Sequence, residues 1–537
     1  MVLISFLASH PQVISLAGFL LFSFVRLRSY LHIFQQEEYD ALRFVRWMFR
    51  TRSFDRFASA AVALTLGVWL LAPDRLVELV LSGILGALLV TIAWRERSSQ
   101  RHAKKPLIMT ARASRIFQLA LVLLSTTAVT LALTFTTPGI WLVPIQLCPF
   151  FLLVANLMLI PVERRVKKRF WDEAHTKLCD LNPLVVGITG SFGKTSVKHI
   201  LAHILQYKGQ TLATPGSVNT PMGISRVIRE QLRASHKFFI VEMGAYGPGS
   251  IDTLCRLAPP KIGILTAIGA AHFERFGSLA VTASAKMELA NAVIANGGRM
   301  VINADVMQLE LVSSQLAMNR TSYLTCGSDL GDVTYTGLQQ TNKGLTFDIH
   351  IEGEVHKVDV PIYGLHQALN VTLAVAAARE LGMQFDTIIG ALRSVPQITH
   401  RLEVKRQLNG TIVIDDAYNS NPVGFESALN LLHVLKQPGA KTHLITPGIV
   451  ELGKRHDAEH RKLGELAAKM ADVIYVVGPG RIPTFVEGVK SSDSGATLKQ
   501  FSTFLSAYEE FSMNSADGDV LLIENDLPDL YERRLSL

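Results

Sequence analysis

The sequence predicts an all-α, multi-span membrane region followed by a soluble α/β part of two domains. Three observations carry this. Charged residues make up 18% of the 537, against about 25% in average soluble proteins, and the deficit falls in the first third. Apolar runs crowd residues 1–161, and basic residues flank them. From about residue 181 short apolar strands alternate with helical stretches, the pattern of parallel α/β sheets. The length admits three or four domains at roughly 100–200 residues each. We expect units near 1–165, 180–398 and 399–537.

The apolar runs are residues 1–25, 57–73, 76–94, 116–135 and 140–161. A spanning helix needs about 20 apolar residues, so five spans are expected, with the run at 57–73 short and the last interrupted by Pro144 and Pro149. No Asp, Glu, Lys or Arg is expected deep in these runs, which argues against a transport path. Basic residues concentrate in 26–56, in 95–115 and in Arg164–Arg169, while the alternate loops are short and nearly uncharged. The positive-inside rule then puts the basic loops and everything after 161 on the cytoplasmic side. The expected location is the inner (plasma) membrane, multi-pass, with membrane lipids as partners. Residues 30–50 mix Tyr30, Phe34, Phe44, Trp47 and Met48 with Arg and Glu. They read equally as an amphipathic helix on the inner leaflet or as a solvated connecting helix.

The net charge is +8, but because the basic residues flank apolar runs it reads as a topology signal, and no nucleic-acid partner is expected. The 4 cysteines form no CxxC pair, which excludes a disulfide framework and a structural zinc site.

Leu184–Ile188 reads as a buried parallel strand and Val197–Tyr207 as a helix. Between them stands Thr189-Gly190-Ser191-Phe192-Gly193-Lys194-Thr195-Ser196, the strand–glycine-loop–helix context of a phosphate loop. Its glycines let backbone N–H groups close on phosphate oxygens at a helix N-terminus. Lys194 would reach the terminal phosphates of ATP, and the Thr195 hydroxyl would help hold Mg2+. The spacing is not that of the common loop, since Ile188 stands where an upstream glycine is usual.

This loop is similar to the TGxxGKT[ST] loop of the Mur ligases, and further segments follow in the same order. They are Thr214-Pro215-Gly216-Ser217-Val218-Asn219, Val241-Glu242-Met243-Gly244, Ala271-His272-Phe273, Asn303-Ala304-Asp305, Gly364-Leu365-His366-Gln367-Ala368-Leu369-Asn370 and Asp415-Asp416-Ala417-Tyr418-Asn419-Ser420-Asn421-Pro422. The resemblance covers about residues 184–455. It implies a P-loop central domain and a Rossmann-like C-terminal domain, with ATP activating a carboxylate as an acyl phosphate that an amine then attacks. The last motif, together with the segment around His272, points within the family to ligation of a dipeptide such as D-alanyl-D-alanine in cell-wall synthesis.

The resemblance assigns ATP contacts to Thr189, Gly190, Ser191, Gly193, Lys194, Thr195, Ser196, His366, Asn370, Arg401 and Asp416. It assigns Mg2+ to Thr195, Glu242 and His272, and to Lys286 as a carbamylated lysine, whose carbamate oxygens would suit a hard ion. Lys194, His272, Lys286, Arg401 and Asp416 would carry the chemistry, and Asn419 and Asn421 would face the amine. Two departures stand out. Nothing in 162–183 is long enough for a separate domain that binds a UDP-sugar, so the acceptor is open between UDP-linked and lipid-linked muramyl peptides. Glu524-Asn525-Asp526 stands where a basic turn is common, so the charge accepted there should differ. Two other readings stay open. One is the same chemistry on poly-γ-glutamate, a capsule precursor or a lipid-borne glycan. The other is a membrane protein regulated by an ATP-binding domain.

Overall fold

The computed structural model describes residues 6–7, 9–51, 53–72, 74–99, 107–269, 278–417, 420–450 and 452–525. It divides into two units, one of Met1–Val166 and one of Lys167–Asp526.

The first unit is helical: Gln12–Gln36, Ala41–Thr51, Arg56–Leu71, Arg75–Ser99, Ala111–Thr134 and the start of Leu142–Leu181. Among the described residues four helical segments are long and apolar enough to cross a membrane: Gln12–Gln36, Arg75–Glu96, Ala111–Thr134 and Pro138–Leu181. The pair Ala41–Thr51 and Arg56–Leu71, bent by 65°, would make a fifth. The run at 57–73 gives a helix of 16 residues, which at 1.5 Å per residue falls short of a bilayer core of about 30 Å.

The expected helix over 30–50 is broken. Gln12–Gln36 ends there, Glu38 and Tyr39 take φ of 58° and 62°, and Asp40 Oδ1 accepts from Arg43 N at 3.0 Å to start the next helix. Phe44, Trp47 and Met48 then turn into a core with Tyr30 and Phe34, so this face is packed inside the unit and not offered to a leaflet. Charge is also buried here. Arg26 bonds Asp55 at 2.6 Å and stands 3.5 Å from Glu96; all three lie just outside the apolar runs, and their pairing follows the rule that buried charges are paired.

The second unit holds two sheets. The first comprises β1 Leu184–Thr189, β2 Thr211–Ala213, β3 Phe238–Glu242, β4 Ile262–Leu265, β5 Arg299–Asn303, β6 Tyr323–Gly327, β7 Val333–Thr341, β8 Gly344–Ile351 and β9 Glu354–Val360. Their order is β2-β3-β1-β4-β5-β6-β7-β8-β9. Strands β2 to β7 pair in parallel, and β7, β8 and β9 antiparallel. The central strands are continuous apolar runs because both faces are covered. Val197, Ile200, Leu201 and Ile204 pack one face with Ala374 and Val375. Ile224, Ile228, Leu254, Leu289 and Val293 pack the other. Ala174 and Leu178, late in the helix Leu142–Leu181, join that second core beside Val185.

The second sheet comprises β10 Glu403–Arg406, β11 Ile412–Asp416, β12 Thr442–Thr446, β13 Val473–Val477, β14 Thr497–Phe501 and β15 Val520–Glu524. Its order is β10-β11-β15-β12-β13-β14, parallel except for β10. Phe425, Leu429, Leu463 and Phe485 cover one face, and Ala507 and Phe511 the other.

Candidate functional site

The first sheet reverses its order at β1, with β3 on one side and β4 on the other. Such a switch leaves a crevice at the C-terminal strand ends, where ligands of open α/β sheets bind. Thr189 ends β1, Glu242 ends β3 and Thr266 follows β4.

The chain leaves β1 through a turn that requires glycine. Gly190 and Gly193 have φ of 153° and 85°, conformations costly for other residues. A Cβ on Gly190 would overlap Thr266 Oγ1, and one on Gly193 would lie 2.5 Å from Asn370 Oδ1. The loop is therefore clamped between the end of β4 and the helix Gln367–Glu380. Ser191 N donates to Ala267 O at 2.8 Å, Ser191 Oγ donates to Gly269 O at 3.1 Å, and Thr189 Oγ1 donates to Met243 O at 3.0 Å. The helix starts at Lys194, three residues before the expected Val197, because Gly193 turns the chain directly into it. Its first-turn N–H groups face a position suited to an anion, and Ser196 is buried in that turn.

Lys194 Nζ donates to Gly190 O at 2.6 Å and to Ser191 O at 3.4 Å. Burial holds its ammonium below the usual lysine range. Glu242 opposes this, and Arg401 and Lys198 add to it. Glu242 has three donors. Its Oε2 accepts from Thr195 Oγ1 at 3.0 Å and Lys198 Nζ at 2.9 Å, and its Oε1 accepts from Asn219 Nδ2 at 3.4 Å. Lys286, in the helix Leu279–Ala295, is buried; that burial, and then the charge of Lys194, push it down to about 7.

The end of the first domain and the start of the second add further groups. His366 precedes the helix Gln367–Glu380, with Nδ1 at 3.3 Å from Ser427 Oγ. Burial, helped by Arg401, pushes it down to about 4, so it is neutral at pH 7. Arg401 lies between His400 and Leu402, both at positive φ (57° and 51°), and its charge reaches Lys194, His366 and Asp416. Asp416 ends β11 and accepts from Leu402 N at 3.3 Å. Burial pushes it up to about 6 against the pull of Arg401. Glu524 ends β15 in register with Asp416. Ser420 Oγ donates to its Oε1, and its Oε2 has no hydrogen-bond partner among the described residues. Burial first, then Asp416, holds this carboxyl well above the carboxylate range. Asn421 caps the helix Pro422–Leu435, accepting from Gly424 N at 3.0 Å. His272 and Asn419 lie outside the described residues.

The structure thus brings Lys194, Thr195, Glu242, Lys286, Asn370, His366, Arg401 and Asp416 around one crevice edge or its facing domain. Sequence reading missed Lys198, Asn219 and Thr266 as partners of the loop and of Glu242. Lys198 carried a signal, since it follows Lys194 by one helical turn on the same face. A separate group, His400, Glu403 and Asp415, has ligand atoms within 4.8 Å of one another. Lys405 Nζ already bonds Glu403 at 2.9 Å and Asp415 at 3.0 Å there.

The crevice fits a nucleotide and a hard divalent ion. Two glycines leave room that a Cβ would fill, Lys194 and Arg401 could face phosphates, and Thr195 and Glu242 offer oxygen ligands of the kind Mg2+ takes.

Residues 188–378 match the Mur ligase middle domain and residues 400–524 the Mur ligase, glutamate ligase domain. The chain is 33% identical over 354 residues to the UDP-N-acetylmuramoyl-tripeptide–D-alanyl-D-alanine ligase of Mycobacterium tuberculosis, covering 63% of this chain and 66% of that one. It is 30% identical over 297 residues to the Escherichia coli ligase of the same name, covering 55% and 64%. It therefore spans slightly less than two thirds of these relatives. Among solved structures, MurF from Thermotoga maritima in complex with ADP aligns with a TM-score of 0.58 at 26% identity, over 69% of this chain and 82% of that one. MurF from Acinetobacter baumannii aligns with a TM-score of 0.58 at 26% identity, over 67% and 77%.

These relatives correct the expected multi-pass location in the inner membrane, because they are soluble cytoplasmic enzymes. The expectation rested on helix length and hydropathy, which a helix packed among other apolar helices satisfies as well. Both matched domains lie in order along the segment that builds the crevice, and through them the chain belongs to the Mur ligase family.

Proposed function

We propose that the chain is an ATP- and Mg2+-dependent amide ligase, joining the carboxylate of a UDP-linked muramyl tripeptide to D-alanyl-D-alanine in peptidoglycan synthesis. The observation that carries this is the bond from Thr195 to Glu242 at 3.0 Å, one residue after Lys194, across the β1–β3 end of the crevice. Hydroxyl, carboxylate and ammonium converge where a metal-bound triphosphate would lie. Bound ATP with Mg2+ supplies the phosphoryl group that activates the acceptor carboxylate.

The side chains do the rest. Lys194 and Arg401 hold negative charge, which stabilises a transition state more strongly in a site shielded from water. Neutral His366 and Asn370 bound the nucleotide side, and the charge of Arg401 reaches Asp416. Asn421, with Asn419, stands on the amine side. Lys286 is poised for carbamylation: at about 7, much of it is neutral amine at physiological pH, the form that reacts with carbon dioxide. The carbamate, with His272, would complete the metal ligands.

A second reading, the same bond formed on another acceptor, has one observation in its favour. The matched segment begins at residue 188, and six helices, Gln12–Leu181, precede it. The test is to incubate the full chain with ATP, Mg2+, UDP-muramyl tripeptide and D-alanyl-D-alanine. The expected result is one ADP per product, with a product mass equal to the two substrates less water. ATP binding with no such product, and product on a different acceptor, would overturn the first reading for the second.

A further inference from the structure

Lys198 is 1% exposed, and burial holds its ammonium below the usual lysine range while Glu242 pulls it back up. One turn beyond Lys194, it points to the same crevice but bonds different groups. Its Nζ donates to Glu242 Oε2 at 2.9 Å and also to the carbonyl of Gly216. Gly216, at φ 51°, is the bend of the segment Thr214–Gly223, and a Cβ there would touch nothing within 4 Å. The same segment returns to Glu242 at two more points. Asn219 Nδ2 donates to Oε1 at 3.4 Å, and Thr214 Oγ1 accepts from Glu242 N at 3.2 Å. Asn219 O accepts from Gly244 N at 3.1 Å, and Tyr246 donates to Asn219 Oδ1 at 2.8 Å.

A buried carboxylate needs a counter-charge. Thr195 and Asn219 are neutral donors, so Lys198 is the described group that supplies the charge to Glu242 directly. Its second bond, to a loop carbonyl, is not needed for neutralisation. That bond ties charge balance at Glu242 to the position of the loop. We propose that Lys198 is a positioning residue that fixes the 214–219 loop against Glu242, so that the wall of the crevice at the end of β3 is assembled before nucleotide arrives. The proposal rests on the ligase reading for what the loop faces, but not for the linkage itself.

Hydrogen exchange on the full chain without nucleotide tests it. In Lys198→Met, amides of residues 216–219 and Gly244 should exchange about tenfold faster or more, while those of β1 and β3 keep their rates, because a charge-assisted bond holds a local unit and not the sheet. Affinity for ADP in magnesium-free buffer should stay within about threefold, since Lys194 and the glycine loop are intact. KM for the acceptor should rise more than KM for ATP. Lys198→Gln keeps a donor without the charge, and should show the same loop-restricted pattern to a smaller degree. If either folded variant leaves loop exchange unchanged, or speeds β1 and β3 equally, Lys198 is a stabilising ion pair only and the proposal fails. If the wild type shows no turnover but the loop pattern appears, the ligase reading fails and the positioning role stands.

Discussion

Replacing Asp416 by Asn should make the protein more stable at neutral pH and less active. Asp416 is buried at the end of β11, and its carboxyl is pushed from 3.8 to about 6. The native state therefore binds this proton more tightly than the unfolded chain. Its contribution to stability is fully present below about pH 4 and is lost as pH rises through about 6. At 1.36 kcal/mol per pH unit the loss is roughly 3 kcal/mol, reached above pH 6. Asn has nearly the same shape, stays neutral throughout and can still accept from Leu402 N. The variant should exceed the wild type by about 1 kcal/mol near pH 4.5 and by about 3 kcal/mol at pH 7.5. At roughly 2–4 °C per kcal/mol for domains of this size class, the gain in Tm is several degrees. Thermal unfolding of both proteins at the two pH values, followed by near-UV circular dichroism, reads it. Turnover should fall in the same variant, because Arg401 loses its carboxylate, a trade of activity against stability. A Tm difference that does not change with pH, or one that favours the wild type at pH 7.5, would refute the reasoning.

Lys194→Ala should abolish ATP-dependent ligation, losing several kcal/mol of transition-state stabilisation, while the circular dichroism spectrum is unchanged; near-normal turnover would remove the phosphate-loop assignment. Thr195→Ala and Glu242→Ala should each raise the Mg2+ concentration needed for half-maximal activity. The double variant should be little worse than the more severe single one, since the two side chains serve one metal–nucleotide unit; fully additive effects would show that they act apart.

Local chemistry was legible where one residue type does one job. Leu184–Ile188, a run of apolar and β-branched residues, could only be a buried strand, and the glycine–lysine–threonine turn after it follows from phosphate geometry. Partnerships across the fold were not legible. Lys198 looks like any lysine on a helix until β3 brings Glu242 to it, 44 positions away. The break at Glu38 and Tyr39 was hidden because neither residue is a usual turn former, and the aromatic residues after it suit a packed core as well as a leaflet. Asn421 was legible as part of a motif, but its capping bond shows only once Pro422 starts a helix. Glu524 was noted for its sign, yet the sequence does not show that it and Asp416 share a register and that one oxygen has no partner among the described residues.

The shifted groups of the crevice make a prediction about proton traffic. Lys286 is brought down to about 7 and Asp416 up to about 6, both chiefly by burial. Burial disfavours the charged form of either sign, so an acid and a base approach neutrality together. A nucleotide brings several negative charges into the same space, and an anion raises the pKa of every group near it. At pH 7 about half of Lys286 is neutral, so nucleotide binding should take up to about half a proton there. Carbamylated Lys286 has no basic amine and would take up none. Calorimetric titration of ADP into the full chain, in buffers of differing ionisation enthalpy, measures the uptake. It should be near half a proton in carbon dioxide-free buffer and fall when bicarbonate is added. Lys286→Met should show the low value in both buffers. Uptake that ignores bicarbonate while still requiring Lys286 would mean that the lysine stays a free amine. Equal uptake in the Met variant would mean that the proton goes elsewhere and that Lys286 does not face the phosphates.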